Sequence, residues 1–360
     1  MGPTAPHADA SRLAHERPES SDGHQPPLAR AFGHGKVILL GEHAVVYDQP
    51  ALAAGLSLGI WAEARDGTGT LTAPDWNLQA RAGDATPLGQ AFAAILRRLA
   101  LPEVGADIDV RIGGELPPRA GLGSSAAIAI ALARAIAGAR GRDPAAALTA
   151  ASDAEIIFHG TPSGIDLAAA SSGAVGLFQR GVGWRPVPLP RSLTLCVGLT
   201  GVQRDTRTQV ETVRRLREGT PEIGALISSL GRVSVLGEQA LLRDDLDELG
   251  RLFDLAHGLL SAMRVSSLEL DTLVHQARAA GALGAKLTGA GGGGAVIALA
   301  PGHEQDVLGR WSEAGYVGFL AQIGATPPLP APDPLPSQSS PRPRPLPLPR
   351  ARGVSRREPT

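Results

Sequence analysis

Pro117-Pro118-Arg119-Ala120-Gly121-Leu122-Gly123-Ser124-Ser125-Ala126-Ala127 is the stretch on which the reading of this chain turns. Glycines at 121 and 123 permit a sharp backbone path that points successive N–H groups inward. Residues 124–137 follow, rich in alanine and isoleucine and free of helix breakers, and they predict a deeply buried helix. Its unpaired N-terminal donors and positive dipole end would complete an anion cradle. The hydroxyls of Ser124 and Ser125 can reach a metal ion or a phosphate oxygen. A glycine turn before a helix is also a common structural joint, so on its own the motif leaves both readings open.

Two further glycine-rich sites stand at a distance. Gly284-Ala285-Lys286-Leu287-Thr288-Gly289-Ala290-Gly291-Gly292-Gly293-Gly294 has six glycines in eleven positions. That density is unfavourable in folding entropy unless the backbone passes very close to something. A tight bend between a helix and the strand expected at 295–299 is the plainer alternative. Gly33-His34-Gly35-Lys36 leads into an apolar run at 35–40, of strand length, and then Gly41-Glu42-His43-Ala44. Lys36 can steer a phosphate or a substrate hydroxyl, and Glu42 and His43 can bind a polar substrate. Neither G-x-x-x-x-G-K-[ST] nor G-x-G-x-x-G occurs in the relevant context, which disfavours a Walker-type or Rossmann nucleotide fold.

Glu155 and Asp166 flank His159-Gly160-Thr161-Pro162-Ser163-Gly164-Ile165. Asp143 reads as an N-cap and Pro144 as the first residue of a helix that stops near Gly160, with a shorter helix starting near Ser163. The turn between them can bring both carboxylates to one pocket. Glu155 with Ser125 can then ligate magnesium, which favours oxygen donors. Asp166 can accept or orient an acceptor proton while Lys36 stabilises developing alkoxide charge. Acidic residues in helical turns are more often solvated, and a lone His159 is more often packed or capping than a proton carrier.

The remaining pattern mixes helices and strands, which predicts an α+β or α/β enzyme. Strands are expected at 52–63, 106–113 and 189–199, the last marking the move into a second domain. Helices are expected at 88–99 and 307–315. Leu249, Leu252, Phe253, Ala256, Leu260 and Met263 recur at helical spacing. Ser266 and Glu269 fit a capping box opening a helix that buries Leu270, Leu273, Val274 and Ala277 and ends at Gly281.

Composition narrows the function classes. The 360 residues carry a formal charge of -1, with 43% hydrophobic and 19% charged residues, which offers no footprint for a nucleic acid or an anionic membrane. Cys196 is the sole cysteine, excluding an internal disulfide and a cysteine-built metal site, and it reads as a buried thiol. No stretch is long and apolar enough to span a bilayer, and residues 1–27 lack a secretory core, so a cytoplasmic enzyme is expected. Residues 1–28 and the proline-dense 326–360 read as disordered tails; the latter favours polyproline II and can serve as a ligand for a proline-reading partner.

The three glycine-rich sites, in this order and over residues 30–324, resemble the GHMP kinase superfamily, which includes galactokinase, homoserine kinase, mevalonate kinase and phosphomevalonate kinase. The mevalonate kinase branch is resembled most by Gly35-Lys36-Val37-Ile38-Leu39-Leu40-Gly41-Glu42-His43-Ala44-Val45-Val46-Tyr47, by His159 to Asp166, and by Lys286 to Gly294. The resemblance implies an α+β fold, with a ribosomal protein S5 domain 2-like domain over 29–188 and a ferredoxin-like domain over 189–325. It places ATP in the cleft between them. Lys36 and Asp166 become the catalytic pair, and Ser125 and Glu155 the magnesium ligands. Pro118, Ala120, Gly121, Leu122, Gly123, Ser124, Ser125 and Ala126 would embrace the phosphates, with Phe158 touching the nucleotide. Glu42, His43, Thr206, Gly289, Ala290 and Gly291 would join Lys36 and Asp166 around mevalonate. A homodimer is implied as well. Gly33-His34 departs from the family's usual alanine-proline, and Asp48-Gln49 stands where a glycine is common.

Overall fold

The computed structural model describes residues 27–103, 106–117, 120–160, 162–202 and 206–324. In chain order the elements are β1 (Ala29–Leu40), β2 (Ala51–Asp66), β3 (Thr70–Ala73), β4 (Leu78–Arg81), α1 (Pro87–Arg98), β5 (Ile108–Gly114), α2 (Ser124–Ala139), α3 (Pro144–His159), α4 (Ile165–Ser172), β6 (Val175–Gln179) and β7 (Gly183–Pro186). Then follow β8 (Leu193–Leu199), α5 (Thr206–Gly219), α6 (Glu222–Leu242), α7 (Leu246–Ala262), α8 (Leu268–Ala279), β9 (Gly284–Thr288), β10 (Ala295–Leu299), α9 (Glu304–Glu313) and β11 (Val317–Ile323).

The first seven strands form one sheet in the order β4-β3-β5-β2-β6-β7, with β1 also paired to β2. The β3–β5 pair is parallel and the other pairs are antiparallel. Helix α2 lies against this sheet. Ten of its residues are buried, most of them alanine or isoleucine. Alanine forms helix best and lets neighbouring elements approach closely, so this sequence suits an enclosed helix. Asp143 caps α3 as anticipated, accepting a hydrogen bond from the Ala145 N–H at 2.9 Å.

The second sheet runs β11-β8-β10-β9, all antiparallel. With helices between β8 and β9 and α9 between β10 and β11, the order is fourth, first, third, second, which is a ferredoxin-like arrangement. The chain thus folds as two α+β units, one built around each sheet. Cys196 lies in β8, fully buried, and burial pushes its thiol up to about 12. No helix among the described residues is long and apolar enough to cross a membrane.

Two sequence expectations are revised. The cap of α8 is Ser267, whose Oγ accepts from the Leu270 N–H; Ser266 instead donates to Asp271 at 2.6 Å. Ser267 has the extended backbone that an N-cap needs, at φ -138°, and its Oγ also donates to Glu269 at 2.9 Å. Residues 284–288 form a fully buried strand rather than part of a glycine bend, so the turn proper begins at Gly289. Helices α5 and α6 occupy a stretch for which no element was read from the sequence. Glycines and serines interrupt the periodicity of α6, and only Val213 of α5 is buried. Residues 1–26, the tail at 326–360 and Pro118 lie outside the described residues, whereas Leu28, expected in the N-terminal tail, donates its N–H to Ala64 O at 2.9 Å.

Candidate active site

Lys36 sits on β1, where β1 runs past the N-terminus of α2. The two are tied by the main chain, Lys36 N–H donating to Leu122 O at 2.8 Å. Gly123 holds φ +77° between them, and a Cβ there would lie 2.6 Å from Lys36 Cγ. A side chain at 123 would thus compete with the lysine for the same space. The first-turn N–H groups of α2, at Ser124, Ser125 and Ala126, have no intrahelical acceptor. Leu122 and Ala126 turn their side chains into the core and Ala120 is also buried, so these three can meet a ligand only through the main chain. At Gly121 an added Cβ would find nothing within 4 Å, which marks open space beside the loop.

Asp166 enters from the first turn of α4, behind the αL residue Gly164. Its Oδ1 lies 3.0 Å from Lys36 Nζ, with the lysine almost buried and the carboxylate a third exposed to the cleft. Glu155 comes from the last full turn of α3. Ser125 Oγ donates to Glu155 Oε1 at 3.2 Å and lies 2.7 Å from His159 Nε2, itself 3.3 Å from Glu155 Oε1. Glu155 Oε2 is buried without a hydrogen-bond partner among the described residues. Burial, with Asp166 adding repulsion, pushes the Glu155 carboxyl up to about 7.

Lys36, Gly121, Gly123, Ser124, Ser125, His159 and Asp166 line a cleft of about 430 Å³ that also takes in Ile38, His43, Val45, Val46, Ser163, Ile165, Thr206, Val210, Gly289 and Ala290. An adjoining lobe of about 480 Å³ shares His159, Ser163, Asp166 and Thr206, and adds Glu155, Phe158, Arg180 and Arg207. The two richest glycine loops converge here, since a Cβ on Gly289 would stand 3.8 Å from Gly121 O. His43 adopts φ +60° and donates Nε2–H to Ala290 O at 2.9 Å. Its burial lowers the imidazole's affinity for a proton. Asp48, in the place where a glycine is common, holds φ +60° as the cap of the short 3₁₀ helix Ala44–Tyr47. Aspartate tolerates this left-handed geometry better than most residues.

Two of the expected site residues stand elsewhere. Glu42 is fully enclosed and paired with Lys286, outside the set that lines the cleft. Gly291 faces away, where a Cβ would lie 2.1 Å from Val265 O; the backbone it must clear is the protein's own. Ile38, Val45, Val46 and Ile165 lie within stretches quoted above, but nothing there marked them as a shared apolar wall, and no role was read for Arg180 and Arg207. Only the fold gathers them.

Comparison with known proteins shows the family to which this fold belongs. Residues 88–174 match the GHMP kinases N terminal domain and residues 238–317 the GHMP kinases C terminal region. The chain is 34% identical over 324 residues to the mevalonate kinase of Thermococcus gammatolerans, covering 81% of this chain and 95% of that one. It is 37% identical over 293 residues to that of Aeropyrum pernix, covering 75% and 88%. The chain belongs to the mevalonate kinase family. Among solved structures, L. major mevalonate kinase, crystallised with R-mevalonate, superposes with a TM-score of 0.73 at 29% identity, covering 82% of this chain and 96% of that chain. The mevalonate kinase fold thus spans β1 to β11 here, and the Lys36–Asp166 pair lies inside it.

Proposed function

We propose that this chain transfers the γ-phosphoryl group of ATP to the 5-hydroxyl of mevalonate, giving 5-phosphomevalonate and ADP. The observation that carries the reading is the Lys36–Asp166 contact of 3.0 Å in a cleft bounded by both glycine loops. Phosphoryl transfer needs little covalent help from a protein; it needs an aligned acceptor and compensation of negative charge. The free N–H groups at the start of α2 supply fixed donors for the triphosphate without reorganisation at the moment of transfer. Asp166 accepts or orients the acceptor proton, and Lys36 steadies the oxygen as charge gathers on it.

The residues present fit a magnesium ion. Glu155 keeps a buried oxygen with no hydrogen bond among the described residues, and its other oxygen accepts from the Ser125 hydroxyl at 3.2 Å. Glu155 and Ser125 would hold the ion, which when bound neutralises charge on the triphosphate.

Specificity follows from the walls. Ile38, Val45, Val46 and Ile165 present an apolar surface that suits the methyl-bearing carbon of mevalonate, whereas a sugar would need polar partners for each ring hydroxyl. Arg180 and Arg207 of the adjoining lobe offer positive charge to the distal carboxylate. An ADP-release assay with mevalonate, phosphomevalonate and galactose tests the reading. Mevalonate should give the highest kcat/KM; a higher value for either rival, or ATP binding without any turnover, would overturn it.

A further inference from the structure

Glu42, Lys286 and Thr288 are buried polar residues that the mechanism above does not use. They lie where the two sheets meet. Lys286 Nζ donates to Glu42 Oε1 and, at 2.6 Å, to Leu287 O. Glu42 Oε2 is buried without a partner among the described residues, so Lys286 provides the carboxylate's side-chain hydrogen bond. Thr288, two residues along β9 and therefore on the same face, donates Oγ1–H to Ile38 O at 3.0 Å and accepts from Ile38 N–H at 3.0 Å. One step further on, His43 Nε2 meets Ala290 O. Residues 38, 42 and 43 of one sheet's margin are thus tied by side-chain hydrogen bonds to 288, 286 and 290 of the other's.

A buried ion pair is a poor source of stability, because desolvation offsets most of its attraction and an apolar pair would serve as well. What it provides is direction: a lysine and a carboxylate fix relative position in a way that leucine against leucine does not. The seam borders the cleft. Lys36 lies two residues before Ile38 on β1, while His43, Gly289 and Ala290 line the cleft directly. The phosphate side is anchored separately, by the Lys36–Leu122 main-chain bond and the Ser125–Glu155 contact.

We infer that Glu42 and Lys286 are positioning residues: by locking the seam they hold His43, Gly289 and Ala290 against Lys36 and so set the acceptor's place in the cleft. The kinetic part of this inference rests on the kinase reading above. The test compares Glu42→Gln, Lys286→Met, the double variant and Thr288→Val. Each single charge removal leaves an unpaired buried charge and is expected to destabilise the fold. The double variant removes both charges and should fold, melting within about 5 °C of the wild type. Its KM for mevalonate should rise about tenfold or more, with KM for ATP changed by less than about threefold, because the misplaced wall belongs to the acceptor. Amide exchange at residues 41–47 and 289–294 should quicken in the double variant and in Thr288→Val, while β2 and β5 stay protected.

A merely structural pair would move the melting temperature without splitting the two KM values. A double variant whose mevalonate KM stays within about threefold of the wild type overturns the inference. Unchanged exchange at both segments overturns it too, and the Thr288→Val protein supplies that reading if the double variant does not fold. Exchange is measured without substrate, so it decides the seam even where absence of wild-type turnover with mevalonate has defeated the kinase reading.

Discussion

Glu155 holds a proton that a solvent-exposed glutamate would lose, and the sign of its effect on stability follows. Its carboxyl is raised from 4.5 to about 7 in the fold, by burial first and by Asp166 second. Between those values the folded chain keeps a proton that the unfolded chain has released, so this group's contribution to stability declines as pH rises from about 4.5 to about 7. In the metal-free protein, Glu155→Gln should therefore gain melting temperature over the wild type as pH goes from 5 to 8. The gain is at most about 3 kcal/mol, at about 1.36 kcal/mol per pKa unit. A gap that narrows over the same range would refute the assignment. With ATP and magnesium, the same variant should need about tenfold more magnesium for half-maximal rate, since one carboxylate ligand is gone. Asp166→Asn should lower kcat by at least ~100-fold, the lower range for a positioned proton-transfer group. A near-normal kcat in steady-state assays would exclude that role.

The glycine loops act as elements, and their glycines serve different ends. At Gly123 a methyl group would press on the flexible Lys36 side chain, whereas at Gly291 it would meet the main-chain carbonyl of Val265. Both positions hold a left-handed backbone, at φ +77° and +79°. Alanine at either costs about 1–2 kcal/mol from the backbone alone. Gly123→Ala should then lose kcat at least tenfold beyond its modest drop in melting temperature, because Lys36 is displaced; that factor is an order-of-magnitude estimate. Gly291→Ala should show the larger thermal loss, since main chain rather than a side-chain end must give way. Equal thermal losses with equal kcat would deny the distinction. At the start of α8, Ser267→Ala should cost about 1 kcal/mol as a lost cap. Ser266→Ala removes a hydrogen bond to Asp271 instead, and urea melts of the two variants separate the roles.

At the scale of the molecule, one cleft draws on both sheets, so ligands should stabilise the chain as a whole. An unreactive ATP analogue with mevalonate, each at about 100 times its Kd, should add about 2.7 kcal/mol per site and raise a thermal midpoint accordingly. Absence of any shift with mevalonate present would speak against the acceptor. Much of this architecture was legible from local pattern. The alanine-rich α2, the Asp143–Pro144 start of α3 and the alternation around β5 each state their structure through propensity, capping and period, which are properties of neighbours in sequence. The first glycine motif likewise suggested an anion cradle, and the fold brings Lys36, Asp166, Ser125 and His43 to the cleft beside it. Tertiary structure alone decided the rest. Glu42 and Lys286 looked like a substrate contact and a loop residue, and became a buried pair because the turn after β1 packs on β9, bringing together residues 244 positions apart in sequence. The apolar wall joins Ile38, Val45 and Val46 to the distant Ile165, and the arginines of the second lobe come from further segments, so no single window contains them all. Local sequence dictates which backbone forms a segment takes, since those depend on a few adjacent dihedrals; which side chains share a cavity depends on how the sheets dock, and that is settled by the summed burial of the whole chain.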